Sequence, residues 1–375
     1  MRIAFYAPLK APDHPTPSGD RHMARAFMGL LRGLGHDVTT ACHLRTFDRD
    51  GDAHRQQRLQ SMGRRAADIL LRQYARSPER RPDLWFTYHA YHKAPDLLGA
   101  AIAHASAIPY VVAEASIAGK QADGPWARGH AQTVHAVSEA TAVLAMTRQD
   151  EEGLAPFVPP HRLHHFPPFV SLDERPADRG PARRELARDF GLDAGSAWMI
   201  TVAMMRDDVK KTSYRLLARS LQQVRRRNWH LLVAGDGIAR ETIERAFAPV
   251  RSRVTFLGEL PRPALSHLHA AADFMVWPAL REAYGMALLE AQAAGLPVVA
   301  CSDGGVVDIV RHGTTGLLVD RPAARPLAAA VDRLIADVGL RATMARNAAQ
   351  IAREVHGEPV ARARLARILE TCTCA

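Results

Sequence analysis

Apolar runs of five or six residues recur along the chain and alternate with stretches of helical period. That is the pattern of a parallel sheet covered by helices on both faces. In the first half the runs are RIAFYA (2–7), DVTTAC (37–42), LWFTY (84–88), PYVVA (109–113) and AVLAM (142–146). The second half repeats the theme with WMITVA (198–203), HLLVAG (230–235), VTFLG (254–258), DFMVWP (273–278) and LPVVAC (296–301). Helices fill the gaps, the first being SGDRHMARAFMGLLRGLG (18–35), which closes on Gly35, and the last a pair at about 340–370. Between the halves, FPPFVSLDERPADRGP (166–181) is rich in Pro and charge and has no period, so it reads as a linker. The expectation is two Rossmann-like, doubly wound α/β domains facing a central cleft, at residues 1–175 and 176–350, followed by a C-terminal helix at 351–375. Ligands of such sheets bind beyond the carboxyl ends of the strands.

A length of 375 residues exceeds one ordinary core and fits two domains. No apolar run approaches the roughly 20 residues of a membrane span. The start, MRIAFYAPLK, offers one short strand rather than a signal-peptide apolar region, so the expected location is cytoplasmic. Cys42, Cys301, Cys372 and Cys374 lack the paired spacing of a zinc site, and no Asp-x-Asp motif is read as a metal site after an N-domain strand. Metal ligands are therefore expected to be none.

The formal net charge of +10 is carried almost entirely by arginine. It reads either as compositional bias, since alanine is abundant too, or as attraction to an anionic membrane surface or substrate. The arginines are scattered and no nucleic-acid-binding module is visible, so nucleic acid is not an expected partner. The densest basic stretch is HRQQRLQSMGRRAADILLRQYARSPERR (54–81). Its plainer reading is a solvated helix with one apolar stripe, Leu59, Met62, Ala66, Ile69 and Leu70. Its functional reading is peripheral docking on the anionic inner face of a membrane or on an anionic acceptor.

The chemistry concentrates in REAYGMALLEAQAAGLPVVACSDGGVVDIVRHGTTGLLV (281–319). Glu282 and Glu290 bracket a Tyr-Gly turn that opens a helix, an apolar strand follows, and a Gly-Gly turn comes at Gly304 and Gly305. A helix start exposes unpaired N–H groups and about half a positive charge, which favours an anion such as a diphosphate. A carboxylate beside it can accept two hydrogen bonds from a sugar diol. The stretch is suited to holding a sugar or ribose next to a phosphate.

Glu282-x7-Glu290, followed by AxAxGLPVVA and GGxxDIVxxGxxGLLV, resembles the retaining GT-B glycosyltransferases of family four (glycosyl transferases group 1). A looser likeness runs from Met1 to about Ala352. The resemblance implies a GT-B fold and transfer of a sugar from a nucleotide-diphosphate donor to an acceptor hydroxyl with retention. It implies no divalent metal and no cofactor beyond the nucleotide sugar, a place in polysaccharide or glycolipid biosynthesis, and a C-terminal helix that crosses back to the first domain. The loop MMRDDVKK matches the family's G-R-x-x-x-x-K loop at Arg206 and Lys211, with Lys210 as the alternative register, and these would hold the diphosphate. Met205 stands where the family carries glycine. Glu282 matches the glutamate that contacts the donor sugar and Glu290 the one that holds the ribose hydroxyls. Tyr284, Gly285 and Met286 would offer backbone N–H groups. Gly19 matches the glycine loop over the diphosphate, Gly235 a strand-end turn, and Leu257 a position beside the nucleobase, while Ser18 or Asp20 read equally as helix caps.

One position departs from the family. Relatives carry a histidine after the strand that corresponds to PYVVA, and this chain has Ala115 there, in AEASIAGK. Glu114, Ser116 or Lys120 would then contact the sugar or acceptor, or His89 and His92 of FTYHAYHK would reach in from the neighbouring strand. The rival readings are a sugar-nucleotide epimerase on the same fold and a nucleotide-sugar-binding protein without chemistry. A phosphorylase would need a lysine for pyridoxal phosphate deep in the second domain, and none follows Lys211. The donor base, the sugar and the acceptor are not encoded in any pattern of this sequence.

Overall fold

A computed structural model describes residues 1–16, 18–172 and 177–373. The chain forms two compact units, Met1–Pro168 together with the helix from Glu358 onward, and Phe169–Gly357. The expected domain boundary at 175/176 falls outside the described residues, as does Cys374. The expected break at 350/351 lies inside a continuous helix, Val338–His356. The chain leaves that helix at Gly357, and the next helix, Glu358–Thr373, starts with a proline in its first turn, where a missing N–H costs nothing.

Unit 1 alternates strand and helix. Its elements are β1 (Arg2–Tyr6), α1 (Gly19–Gly33), β2 (Asp37–Cys42), α2 (Ala53–Arg76), β3 (Leu84–Tyr91) and α3 (Gly99–Ser106). They continue with β4 (Tyr110–Ser116), α4 (Ala127–Glu139), β5 (Ala142–Ala145), α5 (Arg148–Leu154) and β6 (Leu163–His165). The sheet order is β2-β1-β3-β4-β5-β6, parallel throughout. The order reverses between β1 and β3, which makes the loops after these two strands the natural ligand position. Phe5 of β1 stacks on Phe86 of β3, and Phe27 of α1 packs on Phe86, Tyr88 and Phe166, all fully buried or nearly so.

The basic stretch folds as α2, with Asp52 capping its first turn. Its buried face is Gln56, Leu59, Gly63 and Ala67, one residue per turn. Met62 and Ile69 of the expected apolar stripe instead lie half-exposed, on the face that also carries the exposed Arg58, Arg65 and Arg72. Gly63 explains the choice of face. A Cβ there would sit 2.6 Å from Leu97 Cβ, so the glycine side is the one that can approach the core closely.

Unit 2 repeats the scheme. It comprises α6 (Arg179–Phe190), β7 (Ala197–Val202), α7 (Val209–Gln222), β8 (Trp229–Ala234), α8 (Arg240–Ala246), β9 (Val254–Gly258) and α9 (Arg262–Ala271). After these come β10 (Phe274–Val276), α10 (Met286–Ala293), β11 (Val298–Cys301), α11 (Val306–Ile309), β12 (Gly316–Val319), α12 (Ala324–Ala336) and α13 (Val338–His356). The order β12-β11-β10-β7-β8-β9 is again all parallel and reverses between β7 and β10. The last helix of the chain, α14 (Glu358–Thr373), packs on α1 in unit 1. No helix among the described residues is long and apolar enough to cross a membrane.

Candidate active site

In unit 2 the loops after β7 and β10, at the reversal of strand order, bring opposite charges together. Arg206 and Lys210 follow β7, and Glu282 follows β10. Asp208 caps α7 by accepting the Lys210 amide at 2.8 Å, and its other carboxylate oxygen takes Arg206 Nε at 3.1 Å. That cap fixes the phase of the helix and with it the direction of each lysine. Lys210 turns inward to Glu282 Oε1, whereas Lys211 pairs with Asp207 one turn back. The Lys210 and Glu282 side chains are 15% and 18% exposed, against 51% for Arg206. Glu282 Oε1 also accepts the indole N–H of Trp277 at 3.3 Å, and Lys210 Nζ lies 5.6 Å from the centre of that ring. A partly buried ammonium held against an indole face and a carboxylate is a stiff, weakly screened charge.

The backbone around Glu282 is held in place from two sides. Ala279, Arg281 and Gly285 all have left-handed φ angles, of 56°, 51° and 77°. Arg281 N–H donates to Asp303 at 2.9 Å and Gly305 N–H to the Ala283 carbonyl at 3.1 Å. At Gly304 a Cβ would stand 2.3 Å from the Glu282 carbonyl oxygen. This contact gives the Gly304-Gly305 turn its physical role, since only glycine lets the turn press on the segment that aims Glu282. Gly285 starts α10 in the left-handed conformation, Tyr284 beside it is buried, Met286 is the first helical residue, and Glu290 lies one turn on, half-buried.

Gly235 has a similar function on the other side of β7. Its φ is 142°, and a Cβ would lie 1.9 Å from the Ala203 carbonyl oxygen. The loops after β7 and β8 are thereby tied, Met205 N–H donating to the Asp236 carbonyl at 2.8 Å and Ala239 N–H to the Met205 carbonyl at 2.9 Å. Met205, at the family's glycine position, is accommodated by turning its side chain fully inward. Leu257 is half-buried in β9.

In unit 1 the loops at the reversal between β1 and β3 bring a second group together. The pairs Tyr88–Ala113 and Ala90–Ala115 put His89 of β3 opposite Glu114 of β4. Both have left-handed φ, 60° and 55°, although neither is glycine. Such backbone costs about 1–3 kcal/mol per residue and persists where the surroundings impose it, commonly at functional sites. His89 Nδ1 lies 3.0 Å from Asp20 Oδ1 and 3.5 Å from Glu114 Oε1. Burial disfavours the imidazolium, but Glu114, then Asp20 and Asp150, outweigh it and raise the His89 pKa to about 9. Burial likewise works against the Asp20 carboxylate, and the hydrogen bond and charge of His89 pull its pKa below the usual value. Asp20 is therefore a site partner and Ser18 the cap of α1, accepting the Arg21 amide at 3.2 Å. Gly19 is the first residue of α1, with open space where a Cβ would be.

The remaining expected contacts are dispersed. His92 packs edge-on against Trp126, and burial, followed by Lys93, His130 and Lys120, pushes its pKa down to about 4, so it is neutral at pH 7. Ser116 ends β4 half-buried and Lys120 is exposed in a short helical turn. Ala115 is fully buried opposite Ala90, one residue before the carboxyl end of β4. Asp48-Arg49-Asp50, after β2, is an Asp-x-Asp spacing that sequence reasoning missed. The Asp48 carboxylate is engaged locally. Asp48 takes the Gln56 amide at 2.9 Å, and Asp52 beyond it caps α2. Among the described residues no three His, Cys, Asp or Glu side chains gather as metal ligands would. Trp277 was also missed, and Asp20, in the first turn of α1, was read only as a possible helix cap.

The charge state of His89 gives a measurable pH dependence. Its folded pKa, about 9, exceeds the ordinary 6.5, so its contribution is complete below about pH 6.5 and disappears as pH rises through 9. The full swing is at most about 3 kcal/mol. His89→Gln is expected to remove that part of the stability loss between pH 6.5 and 9, read by urea unfolding at several pH values. A nuclear magnetic resonance titration placing His89 near 6.5 would contradict it.

Residues 197–337 match the family model described as glycosyl transferases group 1. Among curated proteins the chain is similar to alpha-D-kanosaminyltransferase of Streptomyces kanamyceticus, 31% identical over 221 residues, covering 58% of this chain and 57% of that one. The first two curated matches span little more than half of those relatives' own length. Two solved structures are similar over nearly the whole chain. Sucrose-phosphate synthase from Thermosynechococcus elongatus has a TM-score of 0.74 at 18% identity, covering 100% of this chain and 99% of that one. HepE of Anabaena, in complex with UDP-glucose, has a TM-score of 0.71 at 17% identity, covering 99% and 100%. Two six-stranded parallel sheets flanked by helices, in this order along the chain, make the fold GT-B.

Proposed function

We propose that the protein is a glycosyltransferase that moves a sugar from a nucleoside-diphosphate donor to an acceptor hydroxyl, with retention and without a divalent metal. The observation that carries this reading is the Lys210–Glu282–Trp277 cluster beside Arg206, at the strand reversal of unit 2. A departing diphosphate gains negative charge, and preorganised cations in a weakly hydrated site stabilise it most. Arg206 supplies a half-exposed guanidinium and Lys210 a partly buried ammonium, which an incoming diphosphate would share with Glu282. Lys211, turned to Asp207, is left a peripheral part. Glu282 then accepts from the donor sugar and Glu290 from the ribose, while backbone N–H groups at Tyr284, Gly285 and Met286 face the phosphates. The leaving diphosphate oxygen takes the proton of the acceptor hydroxyl on the same face of the sugar, so no protein base is required. The Asp20–His89–Glu114 group of unit 1 takes the sugar or acceptor contacts that the family assigns to the histidine replaced by Ala115.

This reading is favoured over an epimerase or a binding protein without chemistry by the match of residues 197–337 to the glycosyl transferases group 1 model and by curated relatives named as glycosyltransferases, alongside the Lys210–Glu282 pair. Donor turnover tests it. Incubation with a panel of uridine, guanosine and adenosine diphosphate sugars should release nucleoside diphosphate from at least one. A released sugar that regains its nucleotide as an epimer would favour the epimerase, and binding without release the inactive homologue. Activity is expected to survive excess EDTA. Loss with EDTA and recovery with Mg²⁺ or Mn²⁺ would reject the metal-free mechanism.

The exposed face of α2, with Met62 and Ile69 among Arg58, Arg65 and Arg72, supports peripheral contact with an anionic membrane. Co-sedimentation with phosphatidylglycerol vesicles should fall steeply from low to moderate salt. Absence of binding at low salt would leave the charge as compositional bias.

A further inference from the structure

At the amino ends of β7, β8 and β9, opposite the carboxyl ends that carry Arg206 and Glu282, unit 2 has an open cavity of about 500 Å³. Six residues of strand at about 3.3 Å each separate the two ends by roughly 20 Å, so this cavity is no part of the donor site. Its wall brings together three arginines, Arg227 before β8 and Arg251 and Arg253 before β9. None of the three is in an ion pair with a carboxylate among the described residues. Arg251 donates to the Val254 carbonyl at 2.6 Å. Arg253 lies over the buried Trp229 ring at 4.1 Å, and its Nη1 is buried without any hydrogen-bond acceptor. The one carboxylate in the wall, Asp193, accepts the Gly195 amide at 2.8 Å. Ser252 and Thr255 add hydroxyls, and the half-exposed Phe190 adds an apolar edge.

Buried donors without acceptors are rare in folded proteins and call for a partner. Three uncompensated guanidiniums around one cavity raise the local potential and select an anion, and guanidinium favours the planar, forked geometry of phosphate or carboxylate oxygens. The volume falls within the usual range of small-molecule sites, about 300–1,000 Å³, and exceeds what a lone ion fills. We propose that the Arg227–Arg251–Arg253 cavity is a second ligand site, distinct from the donor site, that binds a phosphate group carried by a larger molecule. The phosphate would accept hydrogen bonds from the Arg253, Arg251 and Arg227 guanidiniums, with Ser252 donating from the rim. Burial, and then the charge of Arg227, already lower the Arg253 pKa, so an anion there relieves a strained cation.

Calorimetric titration of the full chain with inorganic phosphate tests the site, using Arg206→Ala protein to suppress binding at the donor loop. Phosphate should still bind. Arg227→Ser with Arg251→Ser should weaken it at least tenfold, and so should Ser252→Asp, which keeps every arginine and places a negative charge on an exposed rim position. Tryptophan emission should respond to phosphate, and the response should vanish in Trp229→Phe. A parallel arm with phosphatidic acid vesicles separates the sources. Binding to vesicles that is lost in the same variants, with no response to free phosphate, assigns the group to a lipid headgroup, and the reverse assigns it to a soluble phosphate. Phosphate and vesicle binding that are both absent, or unchanged in Ser252→Asp and in the arginine variant, would overturn the proposal.

Discussion

Lys210→Ala is expected to lower kcat about a hundredfold while changing donor affinity much less, and Lys211→Ala to cost less than tenfold. The split follows from where the two ammonium groups lie. Lys210 is 15% exposed, against Trp277 and Glu282, whereas Lys211 is 25% exposed and paired with Asp207, itself 55% exposed. A charge in the drier position interacts more strongly with charge that develops on the departing diphosphate. A preorganised donor of this kind is worth about 3–4 kcal/mol in the transition state, or two to three orders of magnitude in rate. An interaction made mainly in the transition state lowers kcat and kcat/KM together. Removing Lys210 also leaves Glu282 with only the Trp277 N–H, so thermal unfolding of the variant must be measured beside its kinetics. If Lys211→Ala is the more damaging of the two, the diphosphate role returns to Lys211.

Glu290→Gln should weaken the donor and the bare nucleoside diphosphate alike, by about ten- to a hundredfold. A carboxylate has acceptors only, which suits the two adjacent hydroxyls of a ribose. Hydrogen bonds to a charged acceptor are worth about 1.5–3 kcal/mol, which sets the size of the loss. Glu290 is half-buried one turn into α10, which starts at Gly285 in the left-handed conformation. Glu282→Gln should not weaken the bare diphosphate and should harm the sugar donor, because the carboxylate it loses is the proposed acceptor for the sugar while Lys210 stays in place for the diphosphate. Calorimetry with both ligands on both variants decides the assignment. Equal losses of the bare diphosphate would show that the two glutamates have been given the wrong ends.

The fold was readable where strands are continuous apolar runs. VTFLG and DVTTAC are strands to the residue, and the parallel α/β architecture follows from their alternation with helices. Strands β6 and β12 were not readable. The first is Leu-His-His and the second opens on a glycine, and neither has the length to show a period. Of the apolar stripe expected on α2, Leu59 is buried and Ala66 and Leu70 pack against the core, whereas Met62 and Ile69 are left exposed because close packing of Gly63 on Leu97 sets the phase of the helix. The candidate site was legible as far as one loop could carry it. The two glutamates, the Gly-Gly turn and Arg206 were singled out by their match to family motifs within short stretches of chain. The choice between Lys210 and Lys211 was not legible in this way, since it depends on where Asp208 starts α7. The Asp20–His89–Glu114 group depends on strand register and on two non-glycine residues with left-handed backbone, and neither is written in residue type.

The most direct test of the account is the thermal midpoint of the protein in EDTA against uridine, guanosine and adenosine diphosphates, in wild type and in Lys210→Ala. A ligand at a hundred times its dissociation constant adds about 2.7 kcal/mol to stability. The account predicts that one diphosphate raises the midpoint of both proteins by several degrees, and that the matching nucleotide sugar does the same but is turned over about a hundredfold more slowly by Lys210→Ala. No shift with any diphosphate, or a shift that requires added Mg²⁺, would contradict it.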